Sequence, residues 1–338
     1  MSVAAIILLI SCTSDRNSKV EQLFADYQGE QPGAAVMVIH KGQPILAKTF
    51  GLADLEHLTP VIPQTNFRLA SVTKQFTAFC IMILVERGLL DYTSSLTDIF
   101  PDFPEYGITV MVKHLLQHTS GLIAYEDLIP DTATVPVLDY VVLTMMMEQD
   151  STYFVPGSDY RYSNSGYAVL TMIVEKLSGR SFASFLEENI FEPLGMSGTV
   201  AYQKGISNVR HRAFGYIVNG DSVIFNDQSI TSSVLGDGGI YTSLLDLYKW
   251  DQALYTDRLV TRKSLEQAFK PGLEDYGFGW YIDDYQGYHR VYHTGSTCGF
   301  RNAYLRYPDD QLSIIILTNR RDPAVKELAE KLTKLYLP

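Results

Sequence analysis

Apolar and polar positions change their rhythm along this chain, and the changes predict its elements. Residues 32–54, PGAAVMVIHKGQPILAKTFGLAD, form two apolar runs about Lys41-Gly42, which predicts a β-hairpin turning there. Residues 71–87 then read as a helix closed by Gly88 at its C-cap. Val72, Phe76, Phe79, Cys80, Ile83 and Leu84 make that helix apolar on several sides, the pattern of a central, buried helix. From about 90 to 230, helical patches alternate with Pro, Gly, Ser and Thr turns, among them TVMVKHLLQHTSGL, SGYAVLTMIVEKLSG and SFASFLEENIFEPLGM. The chain then returns to strands, YGFGWYIDD, HRVYHTG, GFRNAYLRYP and LSIIILTN, with Pro308-Asp309-Asp310 turning between the last two and a helix over about 324–336. Strands at both ends with helices between predict an α+β fold, a sandwich of helices on a mostly antiparallel sheet. The sheet is built from N- and C-terminal segments, and a mainly helical subdomain is inserted at about 90–230. Neither an internal repeat nor a low-complexity tract interrupts this plan.

Composition narrows the class. The 338 residues are 46% hydrophobic and 19% charged, an ordinary globular balance with enough chain for a sizeable core. The formal net charge of −11 and pI of about 5.1 argue against a nucleic-acid partner, whose footprint is a basic patch. After residue 12 no segment has the roughly 18 unbroken apolar residues of a membrane span. The start differs. MSVAAIILLISC, residues 1–12, resembles a bacterial lipoprotein signal without its basic n-region, which makes Cys12 the candidate lipidated residue. Residues 13–19 read as a polar tether, and 20–338 as one folded domain. This predicts a place in the cell envelope or periplasm, with membrane contact through a lipid anchor on Cys12. Cys80 and Cys298 show no metal-type spacing and read as two buried thiols.

One placement in the central helix asks for an explanation: Ser71 stands one turn before Lys74, on the same side of a segment that is otherwise apolar. Ser71 as a helix N-cap is the plain alternative. A serine hydroxyl is a weak nucleophile until a base takes its proton, and a lysine desolvated in an apolar helix has its pKa pushed down into the range where it can be that base. The helix start adds a positive dipole where an oxyanion would form. Tyr162-Ser163-Asn164, in an extended loop, projects Tyr162 and Asn164 to one side. His293-Thr294-Gly295 lies on a strand, where the glycine lets a ligand approach the backbone. S-x-x-K, Y-x-N and [KH]-T-G each occur once, in that order.

With these motifs the chain resembles the serine β-lactamase and penicillin-binding-protein-like hydrolases, in the class C-like branch that includes DD-peptidases and carboxylesterases. The resemblance covers about residues 20–335 and extends to FRLASVTKQFTA, LLQHTSGL, YSNSGYAVLTMIVEKLSG, FEPLGM and GDGGIYTSLLDLYKW. It implies a β-lactamase/transpeptidase-like fold and a two-step acyl transfer needing no metal or organic cofactor. Ser71 is then the nucleophile and Lys74 the proton acceptor. Tyr162 is the proton shuttle to the leaving group, and whether Lys74 or Tyr162 is the base stays open. Asn164 binds the substrate's acyl side or orients Lys74. His293, Thr294 and Gly295 form the substrate-binding strand, and the backbone N–H groups of Ser71 and Ser296 form the oxyanion hole.

Where many family members carry a lysine in the third motif, this chain has His293, a mostly neutral donor of one hydrogen bond at pH 7. That departure favours hydrolysis of small esters or D-amino-acid peptides. A class C-like β-lactamase, and a penicillin-binding sensor or scaffold without turnover, are the alternatives. Arg290 and Arg301 are the candidates to restore the charge, although strand parity sets Arg290 opposite His293. His114 and His118, four apart, read as packing and capping residues. Glu187 and Glu188 read as solvated charges on a surface helix, and Gly238-Gly239 as a turn before a helix capped at Thr242 or Ser243. A small-molecule or peptide substrate follows from this reading, and the oligomeric state does not.

Overall fold

The computed structural model describes residues 15–322 and 324–337. Cys12 and the apolar segment before it lie outside the described residues. The polar tether expected over 13–19 is already helical from residue 15, and Val20 and Phe24, at the end of that helix, pack beneath the sheet.

Six strands build the main sheet: β1 (Ala34–His40), β2 (Gln43–Phe50), β3 (Tyr281–Tyr285), β4 (Tyr288–Thr297), β5 (Phe300–Tyr307) and β6 (Leu312–Thr318). Their order is β3-β4-β5-β6-β1-β2, antiparallel throughout, so the chain's two ends meet where β1 pairs with β6. Lys41 and Gly42 both have positive φ, 49° and 73°, the geometry of a tight two-residue hairpin turn. The expected hairpin stops at Phe50; Leu52–Asp54 pairs instead with Thr59–Pro60. In YGFGWYIDD only the second half is strand, because Gly279, at φ 83°, bends the chain before it.

Side chains alternate between the two sheet faces. Ala35, Met37, Ile39, Ile315 and Leu317 join the core on one face, and Ala34, Val36, Val38, Ile314 and Ile316 the core on the other. The second face is covered by the helix at 15–23 and by the C-terminal helix Val325–Thr333. The core on the first face is shared by α1 (Lys74–Glu86), α2 (Asn164–Ser178) and α3 (Leu244–Ala253), of which α3 lies against β1 and β6. All residues of α1 from Lys74 to Leu84 are buried, as its apolar surface predicts. Gly88, at φ 69°, ends it, with Leu89 N–H bonding back to the Leu84 carbonyl. Between 90 and 230 the helices are joined by the hairpin Tyr216–Asn219/Ser222–Phe225 and by the short strand Val200–Ala201. Phe79, Val169, Leu186 and Ile315 lie in one continuous core, so this region packs onto the sheet side.

The contact between α3 and the sheet is polar at its centre. Asp251 accepts from Tyr304 (2.7 Å), Arg306 (3.1 Å) and Ser313 (2.6 Å), and the side chains of Asp251 and Arg306 are each 1% exposed. Removing one member leaves a buried charge unpaired, which costs about 3–5 kcal/mol, whereas replacing both with apolar residues costs far less. Asp251→Ala should therefore lower the melting temperature by roughly 4–7 °C. Asp251→Leu combined with Arg306→Met should recover most of that loss in a thermal melt.

Candidate active site

Strand Phe67–Arg68 runs into a 3-10 turn, Ala70–Thr73, which continues as α1. Ala70 sits at φ 51°, a left-handed conformation that costs an L-residue on the order of 1 kcal/mol, directly before Ser71. The turn is pinned from both sides: Leu69 N–H donates to the Ile240 carbonyl, and Asn302 Nδ2 donates to the Arg68 carbonyl at 2.8 Å. β4 lies so close that a Cβ on Gly295 would stand 2.0 Å from the Leu69 carbonyl oxygen, which is why glycine follows Thr294. The N-cap reading of Ser71 does not hold. Among the described residues its side chain caps neither the 3-10 turn nor α1.

Lys74 Nζ lies 3.4 Å from Ser71 Oγ, 2.8 Å from Asn164 Oδ1 and 2.9 Å from the Asp237 carbonyl oxygen. The residue is wholly buried. Burial pushes its pKa down to about 8, and the negative charges of Asp237 and Glu126 oppose the fall. Asn164 is the first residue of α2, started by Ser163, whose side chain accepts from Gly166 N–H. Asn164 therefore points its carbonyl at Lys74, while its Nδ2 donates to Glu126 at 2.7 Å. Of the two readings of Asn164, the contact present is the one with Lys74. The Tyr162 ring lies 4.9 Å from Lys74 Nζ. Its hydroxyl is buried and finds no partner at hydrogen-bond geometry among the described residues. Burial raises its pKa far above the ordinary phenol value, and the neighbouring Ser71 hydroxyl only partly offsets this.

The third motif behaves differently from the expectation of a substrate-facing imidazole. His293 is buried, and both its nitrogens are occupied: Nδ1 donates to the Thr294 carbonyl at 2.6 Å, and Nε2 accepts from Tyr276 at 3.0 Å. Burial, reinforced by Lys74, pushes its pKa down to about 3, so the ring is neutral. Thr294 is half-buried opposite Ala303. Arg290 cannot replace the missing cation. It is buried on the other sheet face against Asp283 and Glu330. Arg301 is engaged with the Cys298 and Phe300 carbonyls.

Ser71, Asn164 and Ser296 open on one cleft of about 170 Å³, together with Arg68, Tyr125, Glu126 and Asp237. The sequence reading missed these last four. Asp237 was hidden in GDGG, read only as a turn, though an acid between glycines in an apolar stretch was a signal. It lies on a single helical turn, Leu235–Gly238, that precedes strand Ile240–Thr242, and Ser243 caps α3. Burial raises the Asp237 carboxyl to about 6, with Lys74 opposing and Glu126 reinforcing. Nothing in AYEDL marked Glu126. A larger, mainly apolar cavity of about 460 Å³, lined by Val135, Met172 and Ile206 among others, shares none of the cleft residues.

His114 and His118 each accept a backbone N–H, from Met111 and Ser163, as capping residues do. Glu187 and Glu188 are exposed, with Glu188 paired to Arg180. Cys80 is buried, but Cys298 is half-exposed in the β4–β5 turn at φ 42°.

This arrangement of sheet, buried lysine and serine is that of acyl-transferring serine hydrolases. The Beta-lactamase family model matches residues 19–336. Penicillin-binding protein 4* of Bacillus subtilis (strain 168) is 33% identical over 320 residues, covering 88% of this chain and 70% of that one. The octameric penicillin-binding protein homologue from Pyrococcus abyssi superposes with a TM-score of 0.84 at 26% identity, over 96% of this chain and 77% of that one. D-amino acid amidase from Ochrobactrum anthropi SV3 shares the fold at 23% identity, with a TM-score of 0.81 over 95% and 97% of the two chains. The chain belongs to the Beta-lactamase family and is a serine hydrolase of that superfamily. It spans about two thirds of the length of the curated relatives it matches, 70%, 66% and 66% for three of them.

If Lys74 must be neutral to act, kcat/KM for a chromogenic ester rises with an apparent pKa near 8, where Lys74 titrates in the free protein. The Asp237 carboxylate favours the ammonium form. Asp237→Asn should therefore move that limb to lower pH, by roughly 0.5–1 unit for one partly screened charge. An unmoved limb would show that another group controls it.

Proposed function

We propose that the protein is an acyl-transfer hydrolase that forms an acyl-enzyme on Ser71 and acts on small esters or D-amino-acid peptides and amides. The observation that carries this reading is the set of neighbours around Lys74 Nζ. A neutral amine has two N–H groups and one lone pair. Asn164 Oδ1 and the Asp237 carbonyl accept two N–H groups, and the lone pair is left for the Ser71 hydroxyl proton. With a pKa of about 8, about a tenth of Lys74 is neutral at pH 7, several hundred-fold more than for a lysine in water. Tyr162, whose burial keeps it a phenol, acts as a hydroxyl relay and not as the base.

In this scheme Lys74 takes the Ser71 proton as Oγ attacks the carbonyl carbon. The oxyanion is held by the N–H groups of Ser71 and Ser296, the preorganised arrangement that stabilises developing charge. Collapse expels the leaving group, which receives the proton through Tyr162. Water then attacks the acyl carbon, losing its proton along the same path, and Ser71 is restored. Electrostatics supports esters and amides over β-lactams. The carboxylate of a β-lactam would meet Glu126 and Asp237 in the cleft, neutral His293 supplies no compensating charge, and the Arg68 guanidinium on the same cleft is already bonded to the Gln228 side chain and the Ser232 carbonyl. The D-amino acid amidase relative in fold adds a precedent for amide substrates.

A panel of p-nitrophenyl esters, D-Ala-D-Ala peptides, a D-amino-acid amide and a chromogenic cephalosporin tests this reading. The expected result is turnover of an ester or D-amide with kcat/KM at least tenfold above the cephalosporin. Ser71→Ala should lose at least about 10³-fold activity and all covalent labelling by a fluorophosphonate, read by intact mass. Faster cephalosporin turnover would make it a β-lactamase, and stoichiometric acylation without turnover a sensor.

A further inference from the structure

Nothing the Tyr162 hydroxyl bonds to among the described residues holds it in place. Its position comes from its ring and its flanking peptides, and both lead to one residue. Arg161 N–H donates to the His118 carbonyl oxygen at 2.9 Å, and Ser163 N–H donates to His118 Nδ1 at 3.0 Å. The residues on either side of Tyr162, Arg161 and Ser163, are thus tied through their N–H groups to the backbone and the side chain of the same histidine. The imidazole also lies against the Tyr162 ring, with centroids 4.2 Å apart, and against Tyr276 at 4.4 Å.

His118 adopts an uncommon conformation to do this. It stands just past the helix Val112–Leu116 at φ 59°, a left-handed backbone that histidine and asparagine tolerate better than most residues. It is fully buried, and Nε2 has no hydrogen-bond partner among the described residues. Because Nδ1 accepts from Ser163, a neutral ring must carry its proton on Nε2. Burial first, then the positive charge of Lys74, hold the ring neutral. A strained backbone and an unpaired buried N–H, both kept beside Tyr162, are what a positioning role explains and simple packing does not.

We propose that His118 is the positioning residue for Tyr162: its carbonyl, Nδ1 and ring together aim the Tyr162 hydroxyl at Ser71. This rests on the acyl-transfer reading, in which that hydroxyl relays protons. His118 itself touches no reacting atom.

Two substitutions separate position from packing. His118→Asn keeps a side-chain acceptor and tolerance of positive φ, and His118→Gly keeps the tolerance alone. With a p-nitrophenyl ester, His118→Gly should lower kcat roughly 10- to 100-fold, the effect of a misplacement near 1 Å, and leave KM within about threefold. His118→Asn should stay within about fivefold of the unaltered protein. In a Tyr162→Phe background, adding His118→Gly should change kcat by no more than about twofold, since the hydroxyl it aims is gone. Additive losses in that double variant, or an Asn variant no better than Gly, would overturn the assignment. Full kcat in His118→Gly, with Ser71→Ala and Tyr162→Phe both impaired, overturns it and leaves the acyl-transfer reading intact. Equal ester turnover by the unaltered protein and Ser71→Ala overturns both. Should His118→Gly fail to fold, ¹⁵N NMR of the unaltered protein still decides. The His118 ring should hold the Nε2–H tautomer from pH 5 to 9, and an Nδ1–H tautomer would sink the proposal.

Discussion

A lysine buried at the first turn of an apolar helix is the constraint around which the site side of this molecule is arranged. An ammonium or amine in such a place is tolerable only if every polar hydrogen finds an acceptor. Three separate pieces of chain supply them: the 3-10 turn at Ser71, the start of α2 at Asn164, and the carbonyl of Asp237 on a lone helical turn. The last two lie 90 and 163 positions from Lys74 in sequence. Satisfying one side chain therefore demands that the nucleophile turn, the helical region and the segment before α3 close on one point. The continuous core beneath them makes that closure affordable.

The surroundings of Lys74 divide into two electrostatic halves. On one side lies a layer of uncharged rings, with Tyr162, Tyr167, His118, Tyr276 and His293 all held neutral by burial. On the cleft side lie Glu126 and Asp237, with Arg68 among them. The neutral layer removes the ammonium's hydration, and the carboxylates return part of the stabilisation. The balance brings an ammonium that stays protonated in water to the edge of deprotonation at physiological pH.

Strain is concentrated where that balance is struck. Ala70, His118 and Cys298 all carry left-handed backbone within the turns that frame Ser71, β4 and Tyr162, and Gly295 is required by a close approach to Leu69. The sheet, by contrast, keeps a regular antiparallel register on the site side of β1, and the buried Asp251 carboxylate ties α3 to it through Tyr304, Arg306 and Ser313. A rigid frame of this kind can hold locally unfavourable geometry in place.

Much of this was legible in the residues alone. The hairpin at Lys41-Gly42, the buried helix with its glycine stop and the four C-terminal strands follow from local periodicity and turn chemistry. These are short-range properties of the chain. Ser71, Lys74, Tyr162 and Asn164 were legible because their spacing and order mark them, and the structure brings all four together. What only the tertiary structure decided is where side chains point and what they meet. It turned His293 away from the cleft into a pair of hydrogen bonds, exposed Asp237 and Glu126 to the cleft, and set His118 on both sides of Tyr162. No periodicity encodes those contacts. They arise between segments far apart in sequence, and burial, which sets each group's charge, exists only once those segments have packed.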